Sequence, residues 1–116
     1  MYVSRFDNTP GKVTLKNGRI HEFCVHDIGC SSTGEILLTN RHWEWKEIKK
    51  DWNIPENAVK NGLNRSGYYA FIGKSLCGEP GWLYSCSNET KKMFDINCYS
   101  KGVIYCGYIL VYSEEI

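Results

Sequence analysis

The stretch Gly102–Val103–Ile104–Tyr105–Cys106–Gly107–Tyr108–Ile109–Leu110–Val111–Tyr112 decides the fold class. Aromatic and β-branched residues fill it, and its glycines cut it into runs too short for helices. Working outward, Tyr68–Tyr69–Ala70–Phe71–Ile72 and Ile36–Leu37–Leu38–Thr39 have the same character. Trp43–Glu44–Trp45–Lys46–Glu47 alternates apolar and charged residues, which favours a strand ending near Lys49 over a helix stopped by Pro55. Turn chemistry lies between the runs, at Lys16–Asn17–Gly18–Arg19, Ser32–Thr33–Gly34 and Ser66–Gly67. The pattern predicts a compact all-β domain of antiparallel, β-sandwich-like construction over residues 1–116.

A chain of 116 residues that is 42% hydrophobic and 23% charged can build one core without a metal or disulfide staple. Its formal net charge of +1 gives no electrostatic case for a nucleic-acid partner. The apolar runs are a few residues long, so no membrane span is expected. No apolar segment of signal-peptide type follows Met1–Tyr2–Val3–Ser4–Arg5–Phe6, and the expected location is the cytoplasm. Six cysteines (Cys24, Cys30, Cys77, Cys86, Cys98 and Cys106) and the sequons at Asn64 and Asn88 would suit a secreted chain instead. No pair has C-x-x-C spacing. For a cytoplasmic chain all six thiols are expected to be free.

Short words recur in order along the chain. Tyr2–Val3–Ser4–Arg5 parallels Phe71–Ile72–Gly73–Lys74, and Pro10–Gly11–Lys12–Val13 parallels Pro80–Gly81–Trp82–Leu83. Gly34–Glu35–Ile36 ahead of Trp43–Glu44–Trp45 parallels Gly102–Val103–Ile104 ahead of Tyr108–Ile109–Leu110–Val111. The period of roughly 65–70 residues suits half of a two-fold domain rather than a solenoid unit. The first repeat is placed at 1–50 and the second at 51–116. The first lacks the opening segment that the second has, so an unpaired edge at Tyr2–Arg5 is expected, open to a second copy in a homodimer.

The second half contains Trp52, Pro55–Glu56–Asn57–Ala58–Val59, Gly62–Leu63–Asn64, Phe71–Ile72–Gly73–Lys74, Pro80–Gly81–Trp82–Leu83 and Tyr108–Ile109–Leu110–Val111. In that order the words resemble the DM-nine repeat family of invertebrate lectins and natterin-like toxins. The resemblance implies two repeats packed about a pseudo-two-fold axis, and a mannose-type glycan as ligand, in the manner of a pattern-recognition lectin. It implies polar contacts from the Lys of Pro-Gly-Lys, here Lys12, and from an Asp after the Ala-Val segment, where this chain has Asn64. Trp82 stands where the second Lys would be. The carbohydrate-binding residues expected are therefore Lys12, Asn64 and Trp82. Lys beside an amide or carboxylate offers donors and acceptors to sugar hydroxyls, and Trp offers a stacking face. Trp82 is expected to be exposed in a Pro-Gly loop, and Trp43, Trp45 and Trp52 to be core.

No nucleophile elbow, phosphate loop or protease cysteine motif occurs, so neither catalysis nor a cofactor is expected. His21–Glu22–Phe23–Cys24–Val25–His26 with Cys30 contains metal-ligand types, but the spacing matches no common finger, and no metal is expected.

Overall fold

The computed structural model describes residues 2–7, 9–26, 28–37, 42–63, 69–85 and 91–113, and every regular element among them is a β-strand. Five strands come first: β1 (Tyr2–Phe6), β2 (Thr9–Lys16), β3 (Arg19–Val25), β4 (Gly29–Ser31) and β5 (Glu35–Ile36). They form one antiparallel sheet in the order β4–β3–β2–β1–β5. Then follow β6 (Trp43–Lys49), β7 (Lys60–Leu63), β8 (Tyr69–Lys74), β9 (Pro80–Ser85), β10 (Met93–Cys98), β11 (Gly102–Ile104) and β12 (Cys106–Tyr112). These form a second antiparallel sheet, β11–β10–β9–β8–β12–β6, with β7 paired to β8. The two sheets give an all-β, sandwich-like globule.

The strand order of the first sheet recurs in the second, and the registers recur with it. Arg5 pairs with Pro10 and Glu35 as Lys74 pairs with Pro80 and Tyr108. Val25 pairs with Gly29 as Cys98 pairs with Gly102, and both glycines have positive φ. Lys12 and Trp82 thus hold equivalent places. The counterpart of β12 is β5, not the Trp43 strand: β6 crosses to the second sheet and pairs along β12, Trp45 opposite Leu110. β1 lies between β2 and β5, and β5 pairs Ser4 with Ile36 and Arg5 with Glu35, so this part of the edge expected at Tyr2–Arg5 is covered within the chain.

Alternation on the strands of the second sheet divides its apolar residues between two faces. Ile72 and Leu110 meet Val3 of β1 and Leu37, just past β5, with Val59. Phe71, Leu83, Ile96, Ile109 and Val111 point the other way and are joined by Ile48, Ile54, Ala58 and Met93. Segment 51–59 closes over this second face. It is tied to the β10 side by Asp51 N–H to Met93 O (2.9 Å) and Ile54 N–H to Lys91 O (2.7 Å). A bridge from Ala58 to Val111 ties it to β12.

The tryptophans expected in the core lie outside it. Trp43 and Trp52 are half-exposed, and Trp45 is half-buried at the margin of the inter-sheet seam. The reason is position: β6 is an edge strand, and its single fully buried side chain, Ile48, belongs to the opposite face. Trp43 instead packs edge-to-face on Trp45, whose ring receives the Lys74 ammonium at 4.4 Å.

Gly11 and Gly81 are fixed by close approach. A Cβ on Gly11 would collide with the Cys24 carbonyl, and one on Gly81 with the Asn97 carbonyl. Gly18, in the β2–β3 hairpin turn, has open space around it but a φ of 75°. Gly81→Ala is therefore expected to destabilise the fold by about 1–3 kcal/mol through overpacking. Gly18→Ala should cost about 1 kcal/mol through backbone strain alone. Urea denaturation of both variants checks the ranking, and equal effects would contradict it.

Candidate functional site

Pro10–Gly11–Lys12 lies inside β2, with Pro10 buried and Lys12 paired to Val3 and Cys24. Strand pairing on both sides leaves the Lys12 side chain only one way out, and it runs to the second repeat. Its Nζ donates to Glu79 Oε2 at 2.9 Å and to Ser100 Oγ at 2.8 Å. The Tyr99 ring centroid is 5.3 Å from Nζ. The Ser100 N–H donates to Glu79 Oε1 at 2.7 Å, so both carboxylate oxygens are engaged.

Glu79 is positioned by the turn that precedes β9. Ser75 N–H donates to Glu79 O at 2.9 Å, and Glu79 N–H donates to Ser75 Oγ at 3.0 Å. Gly78, at φ 95°, lets the chain reverse. Burial pushes the Glu79 carboxyl pKa up, but the Ser100 and Lys12 hydrogen bonds and the Lys12 charge outweigh it, leaving the value lowered. The Cys98 Sγ points to Glu79 O at 3.4 Å. Burial, with the Glu79 charge second, pushes that thiol up to about 12. The solvent-exposed Cys77 is shifted the opposite way, chiefly by its hydrogen bond to the Ser75 hydroxyl.

Trp82, expected in an exposed loop, sits within β9 and is half-buried. It stacks on Tyr84 at 5.1 Å, and Tyr84 meets Phe94 at 5.3 Å. The indole Nε1 is buried without an acceptor among the described residues. Beside this platform is Asp95, which accepts from Asn97 Nδ2 at 2.8 Å. Burial raises the Asp95 pKa against the opposing effects of Asn97, Lys50, Tyr84 and His26. Lys12 and Trp82 therefore belong to two different clusters. Asn64 lies outside the described residues.

A further polar group escaped the sequence reading. Arg5 makes a two-pronged pair with Glu35 (2.9 and 3.1 Å) and donates to Asn61 Oδ1 at 3.3 Å. These three line a cleft of about 270 Å³ with Val3, Val59 and Tyr112. In the sequence Glu79 is one acidic residue among 13. The sole local signal was its place directly before Pro80–Gly81.

Not all six thiols are free: Cys24 and Cys30, opposite each other on β3 and β4, form a disulfide. Cys77, Cys98 and Cys106 are free, and Cys86 lies outside the described residues. The sequence cluster around Cys24 also resolves differently from its spacing. Glu22, not His21 or His26, joins Cys24 and Cys30, their ligand atoms all within 4.8 Å. Comparison with known proteins returns no matching family model, no matching curated protein and no matching solved structure.

Two outcomes follow from the titrating groups. Glu79, with its folded pKa below the ordinary 4.5, contributes stability above that value and loses it as pH falls through the folded pKa. Asp95, raised above 3.8, has the opposite sign: its contribution is full below 3.8 and is lost as pH rises through the folded value. Glu79→Gln should thus destabilise at neutral pH and converge with the parent in acid. Asp95→Asn should stabilise at neutral pH and converge likewise. Denaturation at about pH 7 and about pH 3 measures both, and pH-independent differences would contradict the assignments.

The thiols give a second test. Iodoacetamide on the folded protein should modify Cys77 well before Cys98, because only the thiolate reacts. After unfolding without reductant, Cys24 and Cys30 should stay unmodified. Peptide mass spectrometry reads both, and equal labelling of Cys77 and Cys98 in the native state would refute the contrast.

Proposed function

We propose that the chain is a carbohydrate-binding module of mannose type, its ligand seated at the Lys12–Glu79–Ser100–Tyr99 junction. The observation that carries this reading is the meeting of Lys12 and Glu79 from different repeats, 2.9 Å apart beside a half-exposed aromatic ring. An ammonium and a carboxylate together grip adjacent sugar hydroxyls, one donating and one accepting, while Tyr99 offers a face to ring C–H groups. Such a pair needs no metal and no group with catalytic geometry. The order of repeat words shared with the DM-nine lectins supplies the sugar class, and with it a role in pattern recognition. The Cys24–Cys30 bond supports an oxidising compartment over the cytoplasm.

A second reading has its own observation. The Lys12 and Glu79 side chains are only 12% and 5% exposed, and each already satisfies the other. That favours an interaction or structural domain that keeps the fold without the sugar.

A glycan array with mannose competition separates the two. On the first reading mannose-rich glycans bind, and Lys12→Ala loses a charge-assisted hydrogen bond of about 1.5–3 kcal/mol, at least about tenfold in affinity. Tyr99→Ala, on the surface, should also weaken binding while leaving the circular-dichroism spectrum unchanged. An array without signal, or full affinity in a folded Lys12→Ala protein, hands the case to the second reading. Loss of binding in Arg5→Ala instead would move the site to the β1–β5 cleft.

A further inference from the structure

We propose that Glu22, Cys24 and Cys30 form a thiolate metal site, opened when the Cys24–Cys30 bond is reduced, that takes a soft divalent cation such as Zn²⁺ or Cd²⁺. The proposal stands apart from sugar binding. Cys24 and Cys30 are cross-strand partners, with Cα atoms 4.1 Å apart. Their nearness does not depend on the sulfur–sulfur bond alone. The β3–β4 ladder runs from Phe23–Ser31 to Val25–Gly29, and the turn is closed by Ile28 N–H to Val25 O (3.2 Å) with Gly29 at φ 109°. Reduction therefore leaves two thiols facing each other. Glu22, two residues before Cys24, shares its side of the strand, and the three sets of ligand atoms lie within 4.8 Å.

The donor set selects the ion. Two thiolates favour zinc-like and softer metals over Mg²⁺ or Ca²⁺, and a carboxylate completes a three-ligand arrangement with one position left for water. Lys12, opposite Cys24 in the register, would repel a cation if unpaired, but its ammonium is held by Glu79 at 2.9 Å. Cys24 is buried and Cys30 exposed, so an incoming thiol attacks at Cys30. A dithiol reductant transfers two electrons to the sulfur–sulfur bond, which breaks; each sulfur takes a proton, and the reductant leaves as its own disulfide. Metal binding then forms two metal–sulfur bonds and releases those two protons.

Titration of the full chain with Cd²⁺ tests this through the ultraviolet thiolate-to-metal charge-transfer band. The oxidised protein should show only the band given by its free cysteines, Cys77 foremost, and the phosphine-reduced protein should take up one further equivalent with added intensity. Cys24→Ser should abolish that increment. Because Cys24 is buried and its replacement can disturb the fold, Cys30→Ser at the exposed position provides the same test. Glu22→Gln should keep the band but weaken binding at least about tenfold, in line with the 10–100-fold typical even of outer-sphere partners. No added band on reduction of the parent, or an undiminished increment in Cys30→Ser, overturns the site. Unchanged affinity in Glu22→Gln overturns the three-ligand arrangement.

Discussion

A lysine drawn out of water must find an anion, and for Lys12 that anion is in the other repeat. Much of the molecule is arranged around that need. β2 sends the side chain outward between its two partner strands; the Ser75–Glu79 turn aims a carboxylate at it; the β10–β11 turn adds Ser100 and Tyr99. The Cys98 thiol, its Sγ on Glu79 O, is held protonated first by its burial and then by the same charge. Removing either partner alone would leave an uncompensated charge, which in buried pairs typically costs about 3–5 kcal/mol. The pair therefore joins the halves of the fold as well as furnishing a polar surface between them.

Strand content was open to reading because alternation and glycine punctuation act locally. The hairpin at Asn17–Gly18 and the extent of β6 follow from residues adjacent in sequence, and Asn17 and Gly18 both adopt positive φ. Pro80–Gly81, like Pro10–Gly11, lies in a strand rather than a loop for an instructive reason. The pair is usually a turn signal, but here each glycine admits a neighbouring carbonyl, and each proline sits at or beside the start of a strand. The tryptophans misled because alternation shows which residues share a face, not which face is covered. That depends on β6 crossing to the edge of the second sheet, a long-range choice that β6 itself does not encode. Glu79 was hidden likewise: 67 residues separate it from Lys12.

The recurring registers make the divergence between repeats readable position by position. Lys12 faces Cys24 across the β2–β3 pair, and Trp82 faces Asn97 across β9–β10. One step along, Thr14 faces Glu22, and Tyr84 faces Asp95. The first repeat therefore has a cation, a hydroxyl, a carboxylate and a cystine where the second has two aromatics, a carboxylate and an amide. Where the first repeat has lysine the second has an aromatic ring, and Asp95 nearby has a pKa raised by burial against the hydrogen bonds of Asn97 and Tyr84 and the charges of Lys50 and His26. Lys50 is itself held against the Phe94 and Tyr105 rings. The two sheets thus share backbone constraints, in Gly11 with Gly81 and Gly29 with Gly102, while the side chains between them have different chemistries. The glycines could not change because any side chain there meets backbone or strains it. Lysine and tryptophan could exchange because at that place the side chain leaves the sheet.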